Sequence, residues 1–319
     1  MNKIGILTSG GDCSGMNAAI RSAVRTALKM NMEIVGFRKG YLGLTNGDGM
    51  SLDTNSVSGI IHRGGTFLHT ARSPEFRTPD GQRKAIDQME KLGVEGLIII
   101  GGDGSLAGAL ALHGLGFPVI GIPASIDNDI PCTDMAIGVD TALSNIINAV
   151  DCIKDTASSH ARAFVIEVMG RHSGYLASVS AIATGAEYAL VPERKFDLSE
   201  ICRHLRTRYE EGRDNAIIIL AEGAGKAQDI ADSIKDAIGF ETRITVLGHY
   251  QRGGAPTVFD RLLGSRFGKK AVELLAAGEK GKMVGIACSA LIAAPLGKVV
   301  NGIKRPDEDM LRLAEVLGT

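Results

Sequence analysis

Short runs of apolar residues alternate with segments of helical periodicity along the whole chain. Several runs are apolar at every position, as in residues 97–100 and 217–220, which is typical of strands buried on both faces of a parallel sheet. Apolar residues recur at helical spacing in residues 20–28 and 143–153. Strands are predicted at residues 3–7, 33–37, 95–100, 118–122, 163–168, 188–191, 216–220, 242–247 and 283–287. The alternation predicts an α/β fold of doubly wound layers with mostly parallel sheets.

The composition fits an ordinary globular protein without a strong overall charge. The chain has 319 residues, long enough for one large domain or two medium ones. Its 35 basic and 36 acidic residues give a net charge of −1, so no basic field points to nucleic acid or to an anionic membrane. Residues 104–126 carry no charged side chain, but Pro118 and Pro123 interrupt them, and we expect no membrane-spanning segment.

The cysteines and the first residues bear on where the protein works. The cysteines are scattered, odd in number and without a C-x-x-C spacing, which favours reduced thiols over a zinc site or a disulfide framework. They are Cys13, Cys132, Cys152, Cys202 and Cys288. The chain enters a strand-like run at once, and no signal peptide is visible. These features predict a cytoplasmic protein.

A short pattern occurs twice. Residues 11–18 and 170–177 share the spacing G-x-x-S-G-x-x-A, and each segment follows an apolar strand. The pattern is explained either by two independent strand-to-helix turns or by two related α/β halves with a ligand in the cleft between them. No low-complexity linker marks a boundary, and we place a break near Val139.

Two glycine-rich turns between a strand and a helix are candidate phosphate sites. In residues 9–12 (S-G-G-D), glycines let backbone N–H groups approach a phosphate at a helix N-terminus, although a structural turn explains the same residues. Residues 101–105 (G-G-D-G-S) lie at the carboxyl end of a predicted parallel strand, where open α/β sheets bind ligands. Asp103 has room there for Mg²⁺ beside nucleotide phosphates; alternatively, it caps the next helix.

A pair of carboxylates follows the next predicted strand. Within residues 123–129 (P-A-S-I-D-N-D), one of Asp127 and Asp129 can accept a proton from a substrate hydroxyl while the other supports it or a metal. The same Asp-x-Asp spacing is common in solvated turns. Because this strand is expected to neighbour the one before Asp103, the acids would line one crevice.

Cationic residues gather at predicted strand ends in the second half of the chain. Guanidinium groups there can bind phosphate through two hydrogen bonds, whereas a single arginine is more often solvated or ion-paired. This group comprises Arg162, Arg171, Arg243, His249 and Arg252. Glu222 ends the strand at 216–220 and can accept hydrogen bonds from sugar hydroxyls or cap a helix. Arg21 and Arg25, one turn apart on the first helix, indicate by themselves a solvated basic face.

Taken together, these segments resemble the bacterial ATP-dependent 6-phosphofructokinase family. The resemblance rests on the motifs at 9–12, 101–105 and 123–129, on V-M-G-R from Val168 and on H-x-Q-R-G-G from His249, and it extends to about Lys304. It implies two similar doubly wound domains with the active site in the cleft between them. Residues 1–138 with 251–303 would bind ATP and Mg²⁺, and residues 139–250 with 304–319 would bind the sugar phosphate.

The resemblance also implies a reaction and residue roles. The γ-phosphoryl group of ATP would pass to the 1-hydroxyl of fructose 6-phosphate in a homotetramer. Asp103 would hold Mg²⁺, Asp127 would accept the hydroxyl proton and Arg171 would stabilise charge on the phosphoryl group. The nucleotide site would comprise Gly11, Tyr41, Arg72, Ser73, Gly102, Asp103, Gly104 and Ser105. The sugar phosphate site would comprise Ser125, Asp127, Asp129, Met169, Gly170, Arg171, Glu222, His249 and Arg252, with Arg162 and Arg243 of a neighbouring subunit.

Departures from the family concern its effector pocket above all. Ser125 stands where the family usually has Thr, which keeps the hydroxyl. The pocket resembles the family at Arg21, Arg25, Gly185, Glu187 and Arg213, with Lys154 for an Arg. It departs at Thr54, Gly59, Glu211 and Asp214. Fewer cations and added carboxylates disfavour phosphorylated effectors, so we expect weak or absent ADP activation and phosphoenolpyruvate inhibition.

Other functions remain open to the same motifs. A pyrophosphate-dependent relative typically carries Asp at the position of Gly104 and Lys at that of Ala124, so the small residues here favour ATP. Kinases of the NAD-kinase or lipid-kinase type share G-G-D-G but are not expected to show the other motifs. A non-catalytic regulatory paralogue is opposed by intact Asp103, Asp127 and Arg171. A dehydrogenase would need G-x-G-x-x-G.

Overall fold

The computed structural model describes residues 1–160, 162–213, 215–238, 241–304 and 307–318. The strands are β1 (Lys3–Ser9), β2 (Glu33–Phe37), β3 (Gly49–Ser51), β4 (Gly96–Gly101), β5 (Val119–Pro123), β6 (Arg162–Val168), β7 (Tyr188–Leu190), β8 (Ala216–Ala221), β9 (Glu241–Val246), β10 (Lys282–Ala287) and β11 (Ala290–Pro295). The helices are α1 (Met16–Lys29), α2 (Tyr41–Asn46), α3 (Pro79–Lys91), α4 (Asp103–Gly114), α5 (Val139–His160), α6 (Tyr175–Thr184), α7 (Leu198–Glu210), α8 (Ala227–Ile238), α9 (Val258–Ala276), α10 (Leu296–Val300) and α11 (Glu308–Gly318).

The chain divides into two compact units. The first unit comprises Met1–Thr141 and Arg252–Lys304, and the second comprises Ala142–Gln251 and Arg305–Thr319. Each unit is therefore built from two separate stretches of sequence, and each contains its own sheet.

The first unit is built on a seven-stranded sheet in the order β11-β10-β5-β4-β1-β2-β3. Only the outer pairs β2–β3 and β10–β11 are antiparallel, and the strands between them run parallel. Helices α1 and α9 pack closely because both present small residues. A side chain at Gly268 would place its Cβ only 2.3 Å from the carbonyl oxygen of Ala19, so the backbones touch. This packing covers one face of the apolar strands.

The second unit is built on four parallel strands in the order β7-β8-β6-β9. Its core is formed by apolar residues of the inner strands and of helices α7 and α8, such as Val165, Ile218, Leu205 and Ile234. Burial of these continuous apolar strands on both faces requires a helical layer on each side of the sheet. Strand β9 lies at the edge of the sheet.

The predicted fold class is confirmed. Each of the nine predicted strands is present, as β1, β2, β4 to β10. The short β3 and the half-buried β11 were missed by the sequence analysis. No helix in the described ranges is long and apolar enough to cross a membrane. The five cysteines all lie in the described part of the chain and are free thiols.

Candidate active site

The parallel strands β1, β4 and β5 bring three sequence motifs to one edge of the first sheet. Their registers pair Ser9 with Gly101 and Gly101 with Pro123, so the strands end side by side. The motifs at 9–12, 101–105 and 123–129 follow directly after these strand ends. A Cβ on Gly102 would lie 4.0 Å from the Cβ of Ser125, which shows how closely the second and third motifs approach. This edge is where open α/β sheets bind ligands.

Asp103 is the exposed first residue of α4 and does not occupy the N-cap position, which Gly102 takes. Its Oδ1 accepts a hydrogen bond from the Gly104 N–H at 2.6 Å. A Cβ built on Gly104 would meet no atom within 4 Å, so the backbone of the first turn faces open space. The start of the helix therefore presents N–H groups and a carboxylate to an approaching phosphate.

Tyr41 holds the first turn of α4 through a hydrogen bond to Ser105. The buried Tyr41 hydroxyl donates to the Ser105 carbonyl at 2.6 Å, and its ring stacks on Phe76 with centroids 3.9 Å apart. Burial raises the pKa of Tyr41, so the phenol keeps its proton. Ser73 Oγ accepts from the Phe76 N–H at 3.4 Å, and Arg72 is exposed next to it. The nucleotide-site residues of the first unit thus include both buried supports and exposed groups.

The carboxylate motif after β5 is tightly structured. Asp127 and Asp129 are both half-buried, and Asn128 between them is buried with a φ of 50°. The Ser125 hydroxyl donates to Asp129 Oδ1 at 2.9 Å. The motif lies at this edge of the sheet, with the Cβ of Ser125 close to Gly102, which argues against a freely solvated turn.

Arg252 lies in the first unit, against the first motif. A Cβ on Gly11 would come within 2.3 Å of Arg252 Nη1, so only glycine leaves space for the guanidinium. Arg252 also donates to the Asp12 carbonyl at 3.3 Å. The structure therefore places a predicted sugar-phosphate residue beside a predicted nucleotide residue.

In the second unit, Arg171 and Glu222 line a cavity of about 540 Å³ at the carboxyl ends of β6, β8 and β9. Arg171 Nε lies 4.0 Å from Glu222 Oε1, and the Arg171 side chain is 77% exposed. The turn that carries them is tightly packed, because a Cβ on Gly223 would lie 2.0 Å from the Arg171 carbonyl oxygen. Gly170 has a φ of 124°, which favours glycine.

Gln251 is a residue that the sequence analysis quoted in a motif but did not assign to the site. It is buried, its Oε1 accepts from the Met169 N–H at 3.1 Å and its amide donates to the Gly248 carbonyl at 3.0 Å. Gln251 therefore ties the segment of the exposed His249 to the turn of Met169 and Gly170. Only its position between His249 and Arg252 could have signalled it.

Arg162 and Arg243 lie together, but away from the carboxyl ends of the second sheet. Arg162 is the first residue of β6 and Arg243 the third of β9. Both guanidinium groups pair with Glu241, with 2.6 Å between Arg162 Nε and Glu241 Oε2. The hydrogen bond from Arg162 lowers the pKa of Glu241. Arg162 lies on the inner strand β6 and is partly buried, whereas Arg243 lies on the edge strand β9 and is more exposed. Neither lines the cavity of Arg171 and Glu222.

The predicted effector residues fall in both units. Arg21 and Arg25 line a cavity of about 530 Å³ between α1 and α9 in the first unit. In the second unit, Lys154 Nζ donates to the Thr184 carbonyl beside Gly185. Glu187 accepts from the Ile217 N–H at 2.7 Å and pairs with Arg208 at 3.3 Å, while the Arg213 N–H donates to the Arg208 carbonyl at 2.9 Å.

The departures from the effector pattern are also placed by the structure. Gly59 has a φ of 68°, and Thr54 and Glu211 lie in turns. Asp214 lies outside the described residues.

Comparisons with known proteins identify the family of this chain. A sequence profile described as phosphofructokinase matches residues 3–275. Curated ATP-dependent 6-phosphofructokinases from Natranaerobius thermophilus and Halalkalibacterium halodurans are 52% and 51% identical over 317 residues, 99% of each chain. The solved phosphofructokinase of Saccharomyces cerevisiae matches with a TM-score of 0.88 and 37% identity over 94% of this chain, which spans only 45% of the yeast chain. The chain belongs to the phosphofructokinase family.

Proposed function

We propose that the protein is an ATP-dependent 6-phosphofructokinase. It transfers the γ-phosphoryl group of ATP to the 1-hydroxyl of fructose 6-phosphate and releases fructose 1,6-bisphosphate and ADP, a step of glycolysis. One observation carries the proposal: Asp103 and Asp127 follow neighbouring parallel strands at a single sheet edge. The full-length relatives with about half of their residues identical are named for this activity.

The first unit binds ATP through the open first turn of α4 and the glycines after β1. Asp103 suits Mg²⁺, which is held by one or two carboxylates, waters and substrate phosphates. No cluster of three metal-ligating side chains occurs among the described residues, and a magnesium ion held mainly by nucleotide and water needs none. When bound, the ion neutralises phosphate charge. Residues 1–138 with 251–303 form the nucleotide domain in this proposal.

Asp127 accepts the proton of the 1-hydroxyl as that oxygen attacks phosphorus. Asp129, held by the Ser125 hydroxyl, lies two residues further on and supports the charge and position of this segment. Arg171, which is exposed, stabilises charge that develops on the transferring phosphoryl group in this proposal. Phosphoryl transfer needs positioning and electrostatic stabilisation more than covalent chemistry, and these groups supply both.

The second unit, residues 139–250 with 304–319, binds the sugar phosphate in this proposal. Met169, Gly170, Glu222 and His249 belong to it, and Arg252 adds a cation from the adjoining sequence. Arg162 and Arg243 lie on β6 and the edge strand β9 and do not line the cavity of Arg171 and Glu222, which favours a role toward a neighbouring subunit. The protein is accordingly proposed to act as a homotetramer in the cytoplasm.

The choice of ATP over pyrophosphate rests on two small residues. Gly104 leaves open space at the start of α4, and Ala124 is buried against the end of β4, with its N–H on the Gly101 carbonyl at 3.0 Å. Neither position blocks a nucleotide. A regulatory paralogue without activity is disfavoured because Asp103, Asp127 and Arg171 are all present.

Initial velocity with fructose 6-phosphate and Mg²⁺, measured with ATP and separately with pyrophosphate, tests this function. We expect turnover with ATP alone. Turnover with pyrophosphate alone would show that Gly104 and Ala124 do not decide the donor. A folded protein that is inactive with both would favour the regulatory paralogue.

A further inference from the structure

The segment between β5 and α5, which carries Asp127 and Asp129, is held together by hydrogen bonds between its two ends. The Asn128 amide donates to the Asp134 carbonyl at 3.0 Å, and Asn128 Oδ1 accepts from the Ala136 N–H at 3.2 Å. The buried Asn128 therefore joins the acidic start of the segment to its far end. A displacement of that far end is therefore expected to move Asp127 and Asp129, which flank Asn128.

The far end of the segment is also held by a lysine 170 residues away in sequence. Lys304 Nζ donates to the Thr133 carbonyl at 2.9 Å and to the Asp134 carbonyl at 3.1 Å. The side chain is half-buried. Burial lowers the pKa of Lys304 to about 8, while the carboxylates of Asp134 and Asp129 oppose that shift.

We propose that Lys304 is a positioning residue for phosphoryl transfer, which fixes Asp127 and Asp129 by holding the Thr133 and Asp134 carbonyls. Lys304 itself contacts neither substrate in this account. Its ammonium bonds the end of the segment, and its charge attracts the Asp129 carboxylate across the segment. The inference rests on the proposed function, because it concerns the acids to which that function assigns the proton transfer.

Strand β10 holds the same segment independently, so loss of Lys304 is expected to loosen the acids without unfolding the unit. The Asp134 N–H donates to the Ile286 carbonyl at 2.8 Å, and the Ile286 N–H donates to Thr133 Oγ1 at 3.1 Å. The Cys288 N–H donates to Asp134 Oδ2 at 2.8 Å. These bonds remain when Lys304 is replaced.

The lowered pKa gives the inference a pH signature. As pH rises through about 8, Lys304 loses its proton and its attraction for the carboxylates of Asp129 and Asp134, so turnover falls. The effect on stability has the opposite sign. At pH values between the lowered pKa of Lys304 and the ordinary lysine pKa, the unfolded chain binds more protons than the folded chain. This titration therefore raises the free energy of unfolding as pH rises. The effect of this titration on stability therefore does not explain a loss of turnover in this window.

Steady-state kinetics of K304M, K304R and the control K298M test the inference. Lys298 is an exposed lysine on α10 of the same unit. K304M is expected to lower kcat by about 10–100-fold, since a misplacement near 1 Å costs about that much. Its KM for ATP should change little, because the first turn of α4 is untouched. K298M should match the wild type, and thermal unfolding checks that each variant is folded.

The pH dependence of kcat separates positioning from a structural role. The alkaline fall of the wild type near pH 8 should move to higher pH in K304R, because a guanidinium stays protonated. A folded K304M with wild-type kcat, or the same alkaline fall in K304R and wild type, would overturn the inference. If K304M does not fold, the pH dependence of kcat in K304R tests the inference by itself. An inactive wild type would instead overturn the proposed function, and this inference with it.

Discussion

The two units hold their functional groups in opposite ways. In the first unit, Asp127 and Asp129 are half-buried in a segment fixed by side-chain bonds to backbone groups. In the second unit, Arg171 is 77% exposed and Arg243 54% exposed, and their partners are other surface side chains. The acids are positioned by the fold, whereas the cations are free to adjust to a ligand.

This difference matches the two tasks of a phosphoryl transferase. A group that takes a proton must lie within hydrogen-bond reach of a single oxygen, so it benefits from a rigid support. A cation that gathers a charged substrate from solvent acts over a longer range and tolerates movement. The first unit should therefore determine the proton transfer, and Arg243 of the second unit should determine substrate affinity, while Arg171 acts on the transferring phosphoryl group.

Replacement of Asp127 should have the largest effect. Asp127→Ser removes the proton acceptor and should lower kcat by about 10²–10⁴-fold or more. Steady-state assays with both substrates give the value, and Asp80→Ser on the exposed start of α3 is the control. Residual activity within tenfold of wild type would place the base elsewhere.

Replacement of Arg243 should act on affinity instead. Arg243→Ser removes a charge-assisted hydrogen bond to phosphate, which is worth about 1.5–3 kcal/mol, or roughly 10–100-fold in the KM for fructose 6-phosphate. Arg203→Ser, an exposed arginine on α7, is the matched control. If kcat fell with KM unchanged, the division of tasks between the units would be wrong.

The rigidity of the first unit can be weakened at Asp260. This buried carboxylate accepts from the N–H groups of Gly138 and Thr141, both at 2.8 Å, and from the Thr141 hydroxyl at 2.6 Å, at the start of α5. Asp260→Ala leaves these donors unsatisfied and should lower the free energy of unfolding by about 1–3 kcal/mol. Urea unfolding measures this change in the free energy of unfolding, with Asp80→Ala as the control variant. Unchanged stability would show that this contact does not support the unit.

Effectors should have the smallest effect. Glu187 is already engaged by Arg208 and by the Ile217 N–H, while Glu211 adds negative charge and Thr54 supplies no cation. ADP and phosphoenolpyruvate should therefore change the initial velocity little. Titration of each at low fructose 6-phosphate measures this. Strong inhibition by phosphoenolpyruvate that ADP relieves would contradict this prediction and show that the family's regulation is present.

The sequence predicted the strands and the motifs that follow them, because both are local features. Continuous apolar runs identify a buried parallel strand, and small residues around an acid identify its ligand-binding end. Strand β3 has only three residues, and β11 is rich in alanine at the sheet margin, so neither has a distinct apolar pattern. Edge strands of this kind are recognised mainly from their pairing.

The supports of the site could not be predicted in the same way. Each support forms a hydrogen bond with a residue far away in sequence. The separation is 82 positions for Gln251, 119 for Asp260 and 171 for Lys304. Such contacts depend on the folded arrangement, and a single polar residue gives no local signal of its distant partner. Asn128, by contrast, stood inside a recognised motif, but its role depends on a backbone turn that composition alone does not reveal.

Calorimetric binding of fructose 6-phosphate to the Asp127→Ser variant tests the central claim most directly. Proton transfer belongs to Asp127, and substrate affinity to exposed cations such as Arg243. A dissociation constant close to that of the wild type is therefore expected in a variant that has lost nearly all turnover. Loss of binding together with turnover would contradict the separation of chemistry from substrate capture.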